Sequence, residues 1–248
     1  MGKRLGQHFL TNAAIVKRIV DAAGIEPDDT VLEVGPGRGI LTEELVARAK
    51  KVIAVEKDHN LVLYLREKYK NKKNVRIVEG DILKHGAWSM EHETGFKIVA
   101  NLPYYITSRF LRVFLETEEL RPASMTLMIQ KEVAERICAA PPDMNLFALS
   151  VQAFGVPKIL FRVAAGSFSP PPEVDSVVIK IDNISDMFFK KNGIQPQEFF
   201  KLPKKAFSQK RKMLRASIPE AKLPEFATKR PQELSLDDWV CIIKNVQS

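Results

Sequence analysis

Residues Val31 to Thr42 read VLEVGPGRGILT: a short strand pattern, three glycines at alternate positions and the opening of a helix. Gly35, Gly37 and Gly39, set between a strand and a helix, let the backbone turn sharply and approach a ligand more closely than a side chain allows. A P-loop is excluded, because no Gly-Lys-Ser or Gly-Lys-Thr follows. A dinucleotide fingerprint fails as well. It needs Gly or Ala three residues after the second glycine, and Ile40 stands there.

On either side of this loop, from Val31 to about Gln130, apolar runs of strand length alternate with amphipathic helical patterns. The strand patterns are VLEV (31–34), KVIAVE (51–56), VRIVEG (75–80), KIVAN (97–101) and SMTLMIQ (124–130). Between the first two, LTEELVARA places Leu41, Leu45, Val46 and Ala49 on one helical face. Such alternation means βαβ units and a mainly parallel sheet covered on both faces, with ligands at the strand C-terminal ends. KILFRVAA (158–165) and EVDSVVIKID (173–182) are expected to complete a seven-stranded sheet. Between them, Pro170, Pro171 and Pro172 demand a stiff loop. Thr11 or Asn12 caps a preceding helix whose inward face is Ile15, Ile19, Val20 and Ala23. After Asp182 the pattern is helical only, in short pieces broken by Pro203, Pro219, Pro224 and Pro231. The expected organisation is an α/β domain over 1–182 and a small all-helical domain over 183–248.

The 45% apolar and 27% charged residues suit an ordinary globular protein and exclude disorder. Cys138 and Cys241 have no metal-ligand spacing and form no disulfide framework, so a reducing, cytoplasmic setting and no metal are expected. No run approaches the roughly 18 apolar residues of a membrane span. The charge of +8 is uneven: residues 183–248 carry 13 Lys and Arg against 7 Asp and Glu, whereas the first 182 carry 25 against 23. A basic tail on a near-neutral body points to a polyanion such as nucleic acid, or to a solvated surface.

Glu56 ends the second strand pattern, where a carboxylate accepts ribose hydroxyls in nucleoside-binding α/β folds. Asp81 follows the third, in reach of an adenine amine. At the end of the fourth comes NLPYYIT (101–107), whose NLPY resembles motif IV of methyltransferases that act on exocyclic amines, and that resemblance implies an amine such as adenine N6 as the target. An adenine N6 amine is a poor nucleophile, because its lone pair is delocalised into the ring. Accepting hydrogen bonds from both its hydrogens pulls the nitrogen towards tetrahedral geometry and frees that lone pair. The Asn101 side-chain oxygen and the Leu102 carbonyl, turned outward ahead of Pro103, are two such acceptors. Tyr104 offers a flat face for a base taken out of its helix. Alone, this stretch also fits a turn with a core tyrosine.

The spacing Glu-x-Gly-x-Gly-x-Gly from Glu33 to Gly39 resembles motif I of S-adenosylmethionine-dependent methyltransferases, and NLPY resembles motif IV of those that act on exocyclic amines. In order, GQHFL (6–10), VLEVGPGRG, EGDIL, NLPYYIT, QKEVAERI (130–137) and FSPPPEVDSVV (168–178) resemble the ribosomal RNA adenine N6-dimethyltransferase family. That resemblance implies a Rossmann-like class I methyltransferase fold and S-adenosylmethionine as cofactor. His8 and Leu10 would line its methionine end, Gly35 and Gly37 its backbone crossing, Glu56 its ribose, and Asp81 with Ile82 its adenine. Asn101, Leu102 and Tyr104 would hold the target amine, with Phe168 as a second aromatic wall or as ordinary core. Many relatives have Asn at the position of His8, whose imidazole is titratable.

FxPxPxVDS and the tail stretch AFSQKRKMLRAS (206–217) favour the branch that dimethylates two adjacent adenines in a hairpin near the 3′ end of small-subunit rRNA. The alternatives are the resistance branch, which acts on large-subunit rRNA, and a ribosome-assembly factor with incidental methylation. The implied partners are small-subunit rRNA and the immature small subunit, met by a monomer. Lys204, Lys205, Lys210, Arg211, Lys212 and Arg215 are the expected phosphate contacts. At continuous helical spacing, Lys204, Arg211 and Arg215 share one face.

Overall fold

The computed structural model describes residues 8–84, 95–220 and 223–247; Gly6 and Gln7 of GQHFL lie outside them. The chain divides into two compact units, Met1–Ala134 with Lys158–Ile184, and Glu135–Pro157 with Ser185–Ser248.

Among the described residues nine strands follow one another: β1 (Phe9–Leu10), β2 (Thr30–Val34), β3 (Lys51–Glu56), β4 (Val75–Glu79), β5 (Lys97–Asn101), β6 (Ser124–Gln130), β7 (Val156–Val163), β8 (Phe168–Ser169) and β9 (Ser176–Asp182). Seven of them form one sheet in the order β4-β3-β2-β5-β6-β9-β7. β2 pairs in parallel with β3 and β5, β3 with β4, and β5 with β6, while β9 joins β6 antiparallel. Central strands covered on both faces need continuous apolar runs, and Val31, Leu32, Ile98, Val99 and Ala100 are all buried. Strand order reverses between β2 and β5. That switch point opens a crevice at the strand C-terminal ends, just where the glycine loop leaves β2 and NLPY leaves β5.

Asn12 caps the helix Ala13–Ala23, its side-chain oxygen accepting from the Ala14 and Ile15 N–H groups at 3.0 and 3.2 Å. The buried stripe is Val16, Ile19, Val20 and Ala23. Val16 rather than Ile15 therefore heads the inward face, and Ile15 packs at its half-buried margin. The helix Ile40–Arg48 buries the expected Leu41, Leu45 and Val46, with Ala49 just beyond it.

A second, two-stranded sheet has no counterpart among the expected elements. β1 and β8 run antiparallel, with Leu10 opposite Phe168 and Phe9 opposite Ser169. The Thr11 N–H and hydroxyl both donate to the Ser167 carbonyl, at 2.9 and 3.1 Å, and extend the tie. The start of the proline-rich segment is thus paired strand, and Asp175 further along it accepts from Arg162 and from the Ala165 N–H.

The second unit is helical and includes Leu146–Gln152, Met187–Asn192, Pro196–Phe199, Lys201–Phe207, Leu214–Ser217 and Leu236–Gln247. An expected boundary after Asp182 leaves out Glu135–Pro157, which this unit contains. Phe154 of that segment meets Phe189 with ring centres 4.9 Å apart, in a cluster that continues through Phe199 and Phe200. Phe154 of residues 135–157 is thus packed against a phenylalanine far along the chain. Pro203 sits in the first turn of Lys201–Phe207, and the helical run is interrupted ahead of it at Phe200, where Pro203 offers no N–H to the Phe199 carbonyl that ends Pro196–Phe199. Among the described residues no helix is long and apolar enough to cross a membrane.

Candidate active site

The glycine loop is held by backbone and by one carboxylate. The Gly35 N–H donates to the Val55 carbonyl at 3.0 Å, and the Gly37 N–H to Glu56 Oε2 at 3.1 Å. Glu56 Oε1 accepts from the Lys57 and Asp58 N–H groups at 2.8 and 2.9 Å, so the end of β3 and the loop are fastened to one buried side chain. Gly37 has φ +59, and a Cβ there would meet the Phe9 ring at 3.1 Å. The loop and β1 approach each other through the space that glycine leaves.

Asp81, beyond β4, accepts from the Lys57 ammonium at 3.0 Å and from the Leu83 N–H at 3.1 Å. Burial alone would raise its carboxyl. The Leu83 N–H and Lys57 outweigh burial and hold it below the usual carboxylate range.

Glu33 behaves oppositely. Only 1% exposed, neither of its carboxyl oxygens has a hydrogen-bond partner of ordinary geometry among the described residues. Burial pushes it up to about 8, and Glu56 adds to this, while Thr42 and the Lys68 charge pull the other way.

Asn101 ends β5 opposite Met128, and the Leu102 N–H donates to the Met128 carbonyl at 3.1 Å, so the main chain stays on the sheet until Pro103 turns it. Tyr104–Ile106 form a 3₁₀ turn that leads into the helix Thr107–Glu116. The Tyr104 hydroxyl lies 2.9 Å from Ser176 Oγ, and its ring stacks towards His8 with centres 6.4 Å apart. His8 Nδ1 is 2.8 Å from the Pro170 carbonyl oxygen; a carbonyl only accepts, so Nδ1 carries the proton. Phe168 is 5% exposed and belongs to the core, yet it also forms part of the cavity wall.

These parts enclose a cavity of about 430 Å³ in the first unit. His8, Leu10, Gly35, Gly37, Glu56, Asp81, Ile82, Asn101, Leu102, Tyr104 and Phe168 all line it. Sequence reasoning missed Phe9, Lys57, Tyr105 and Arg109, which line it too. Phe9 and Lys57 each stood next to an assigned residue, whereas Arg109 carried no local signal. A loop cleared of side chains, carboxylates at successive strand ends and an orphaned buried acid suit a nucleoside joined to a cationic amino-acid-like part. Among the described residues no group of three or more His, Cys, Asp or Glu side chains is placed to hold a metal ion.

The basic residues lie in the second unit and are exposed. Lys204 and Lys205 ride on Lys201–Phe207, Arg215 on Leu214–Ser217, and Lys210, Arg211 and Lys212 occupy the link between them. One continuous helical face through Lys204, Arg211 and Arg215 does not exist, because the helix stops after Phe207. Lys205 pairs with Glu220 at 2.6 Å.

The sheet order, the glycine loop at its switch point and the lined cavity define a class I S-adenosylmethionine-dependent methyltransferase. The family model described as ribosomal RNA adenine dimethylase matches residues 1–240, and the chain belongs to that family. It is thus an enzyme whose methyl donor is S-adenosylmethionine. The ribosomal RNA small subunit methyltransferase A of Dehalococcoides mccartyi is 47% identical over 213 residues, covering 86% of this chain and 72% of the relative. A dimethyladenosine transferase from Plasmodium falciparum superimposes with a TM-score of 0.81 at 28% identity, over 95% of this chain and 96% of that one. The 23S rRNA methyltransferase ErmE shares the fold, with a TM-score of 0.78 at 23% identity over 97% and 100% of the two chains.

Proposed function

We propose that this chain dimethylates the N6 amines of two adjacent adenosines in a hairpin near the 3′ end of small-subunit rRNA, as a step in small-subunit biogenesis. The observation that carries this reading is the meeting of two motifs at the switch point. A Cβ on Gly35 of the cofactor loop would stand 3.9 Å from the Asn101 carbonyl oxygen, so the methyl-donor crossing and the amine-holding stretch share one corner of the cavity. Relatives named for the small subunit, at up to 47% identity, support the choice of rRNA.

The donor supplies a methyl group carried on a sulfonium, so transfer needs alignment more than a strong base. His8 and Leu10 flank its methionine part, Gly35 and Gly37 give it backbone, Glu56 takes the ribose, and Asp81 with Ile82 takes the adenine. Glu56 is already fixed by three N–H groups and needs no reordering to do this. Asn101 and the Leu102 carbonyl accept from the target amine, while Tyr104 and Phe168 flank its ring. A monomethylated amine can return and give its remaining hydrogen to either acceptor, with the loss of one of the two bonds and with no donor in the way. The nitrogen's surplus proton then passes to water.

The second unit grips phosphates through Lys204, Lys205, Lys210, Arg211, Lys212 and Arg215, and so fixes RNA position without reading bases. The setting is the cytoplasm, the partner an immature small subunit, and the active form a monomer. The test is transfer of labelled methyl groups to undermethylated small subunits and, in parallel, to large-subunit rRNA. Dimethyladenosine confined to the small subunit is expected. Label in large-subunit rRNA alone would overturn the substrate assignment.

A further inference from the structure

Tyr105 is 70% exposed, more than any other large apolar side chain among the described residues, yet it lines the active-site cavity. Its neighbour Tyr104 is partly buried and tethered through its hydroxyl to Ser176. In a 3₁₀ turn successive side chains diverge by about 120°, so the two rings cannot serve the same base. Both rings line the cavity, Tyr104 half-buried and Tyr105 exposed to solvent.

Cations flank the outer ring. Arg109, exposed and also lining the cavity, follows Tyr105 by four residues, about one helical turn along the same run. Lys57 lies within electrostatic reach of the Tyr105 phenol and is itself largely exposed, although paired with Asp81. An exposed aromatic face beside cations, at the edge of a pocket that takes a nucleobase, is the composition of a single-strand stacking platform. A solvent-facing tyrosine contributes nothing to the core of the first unit, so folding does not explain it.

We propose that Tyr105 is a second base site: it stacks the nucleotide next to the adenosine in the cavity, while Arg109 holds the phosphate between them. This rests on the rRNA-adenosine reading above. A target base drawn out of a hairpin leaves its neighbour unstacked, and Tyr105 replaces that lost stacking. Such a platform accepts any base, because every base has a π face. It therefore fixes position and leaves the choice of target to the cavity.

The experiment compares Tyr105→Ala, Tyr105→Phe and Arg109→Gln with the wild type on undermethylated small subunits. It reads KM for the subunit, kcat and the dissociation constant of S-adenosylhomocysteine. Tyr105→Ala is expected to raise KM about 10- to 100-fold, with product affinity unchanged. Tyr105→Phe keeps the ring and should match the wild type. Arg109→Gln should raise KM about 3- to 10-fold and flatten its salt dependence. A hairpin RNA with 2-aminopurine beside the target adenosine should be quenched by the wild type and not by Tyr105→Ala. A wild-type KM for Tyr105→Ala would overturn the inference, as would equal losses for Phe and Ala or a parallel loss of S-adenosylhomocysteine binding. If the wild type binds S-adenosylhomocysteine yet methylates no subunit, the underlying reading fails and this inference falls with it.

Discussion

The hydroxyls of Tyr104 and Ser176 meet at 2.9 Å, joining residues 72 positions apart. The bond ties the residue after Pro103 to the first residue of β9 and fixes the tilt of the ring against the cavity. Tyr104→Phe keeps the stacking face but frees it, and kcat should fall about 3- to 10-fold, as expected for the loss of one hydrogen bond of about 1 kcal/mol. Tyr104→Ala should lower it at least about 100-fold, with stacking lost too. Steady-state kinetics on small subunits separate the two.

Gly39 and Gly24 both have positive φ, +78 and +61, but their surroundings differ. A Cβ on Gly39 would stand 2.9 Å from Tyr69 Oη and from Leu65 Cδ2, and the Tyr69 hydroxyl donates to the Gly39 carbonyl at 2.8 Å. Nothing lies within 4 Å of a Cβ on Gly24. Gly24→Ala should cost about 1 kcal/mol in denaturant unfolding, the strain of the left-handed backbone alone. Gly39→Ala should cost about 2–4 kcal/mol, because overpacking is added.

Glu33 makes stability depend on pH. Burial lifts its carboxyl from the ordinary 4.5 to about 8, so between these values the folded protein holds a proton that the unfolded chain has released. This contribution is complete below about pH 4.5 and is lost progressively as pH rises to about 8. Glu33→Gln cannot ionise, so its stability relative to the wild type should grow by up to about 1.4 kcal/mol per pH unit through that window. Denaturant midpoints at pH 5, 6.5 and 8 measure it, and a constant difference would contradict the assignment.

Reversing charge at Arg211 and Lys212 should weaken small-subunit binding about 10- to 100-fold and make its salt dependence shallower, since fewer counterions are released. S-Adenosylhomocysteine affinity should not change. Filter binding across a salt series gives both numbers.

The sheet was legible because buried parallel strands are largely apolar: VLEV, apart from Glu33, and the inner parts of KVIAVE and KIVAN need no tertiary information to be read as strands. Glu56, Asp81, Asn101 and the glycine loop were legible because they sit at strand ends that the βαβ pattern assigns, whereas His8, Leu10 and Phe168 were assigned by the family resemblance alone. The β1–β8 pairing was not, since two-residue strands have no periodicity and Leu10 and Phe168 are far apart in sequence. For the same reason Glu135–Pro157 gave no sign of their place in the second unit: Phe189, which meets Phe154, lies beyond Asp182. Arg211 was set on a helix face because charge patterns continue across a turn that the backbone does not. Glu33 was read only as part of a motif, and its burial with unpartnered oxygens emerges from three dimensions alone.

The central claim is that Asn101 and the Leu102 carbonyl activate the target amine. It is tested most directly by single-turnover methyl transfer with Asn101→Ala, with subunit binding measured on the same preparation. The expected result is a transfer rate lowered about 1,000-fold or more, with subunit affinity within about threefold of wild type, since an interaction made chiefly in the transition state has been removed. Full transfer by Asn101→Ala would contradict the account.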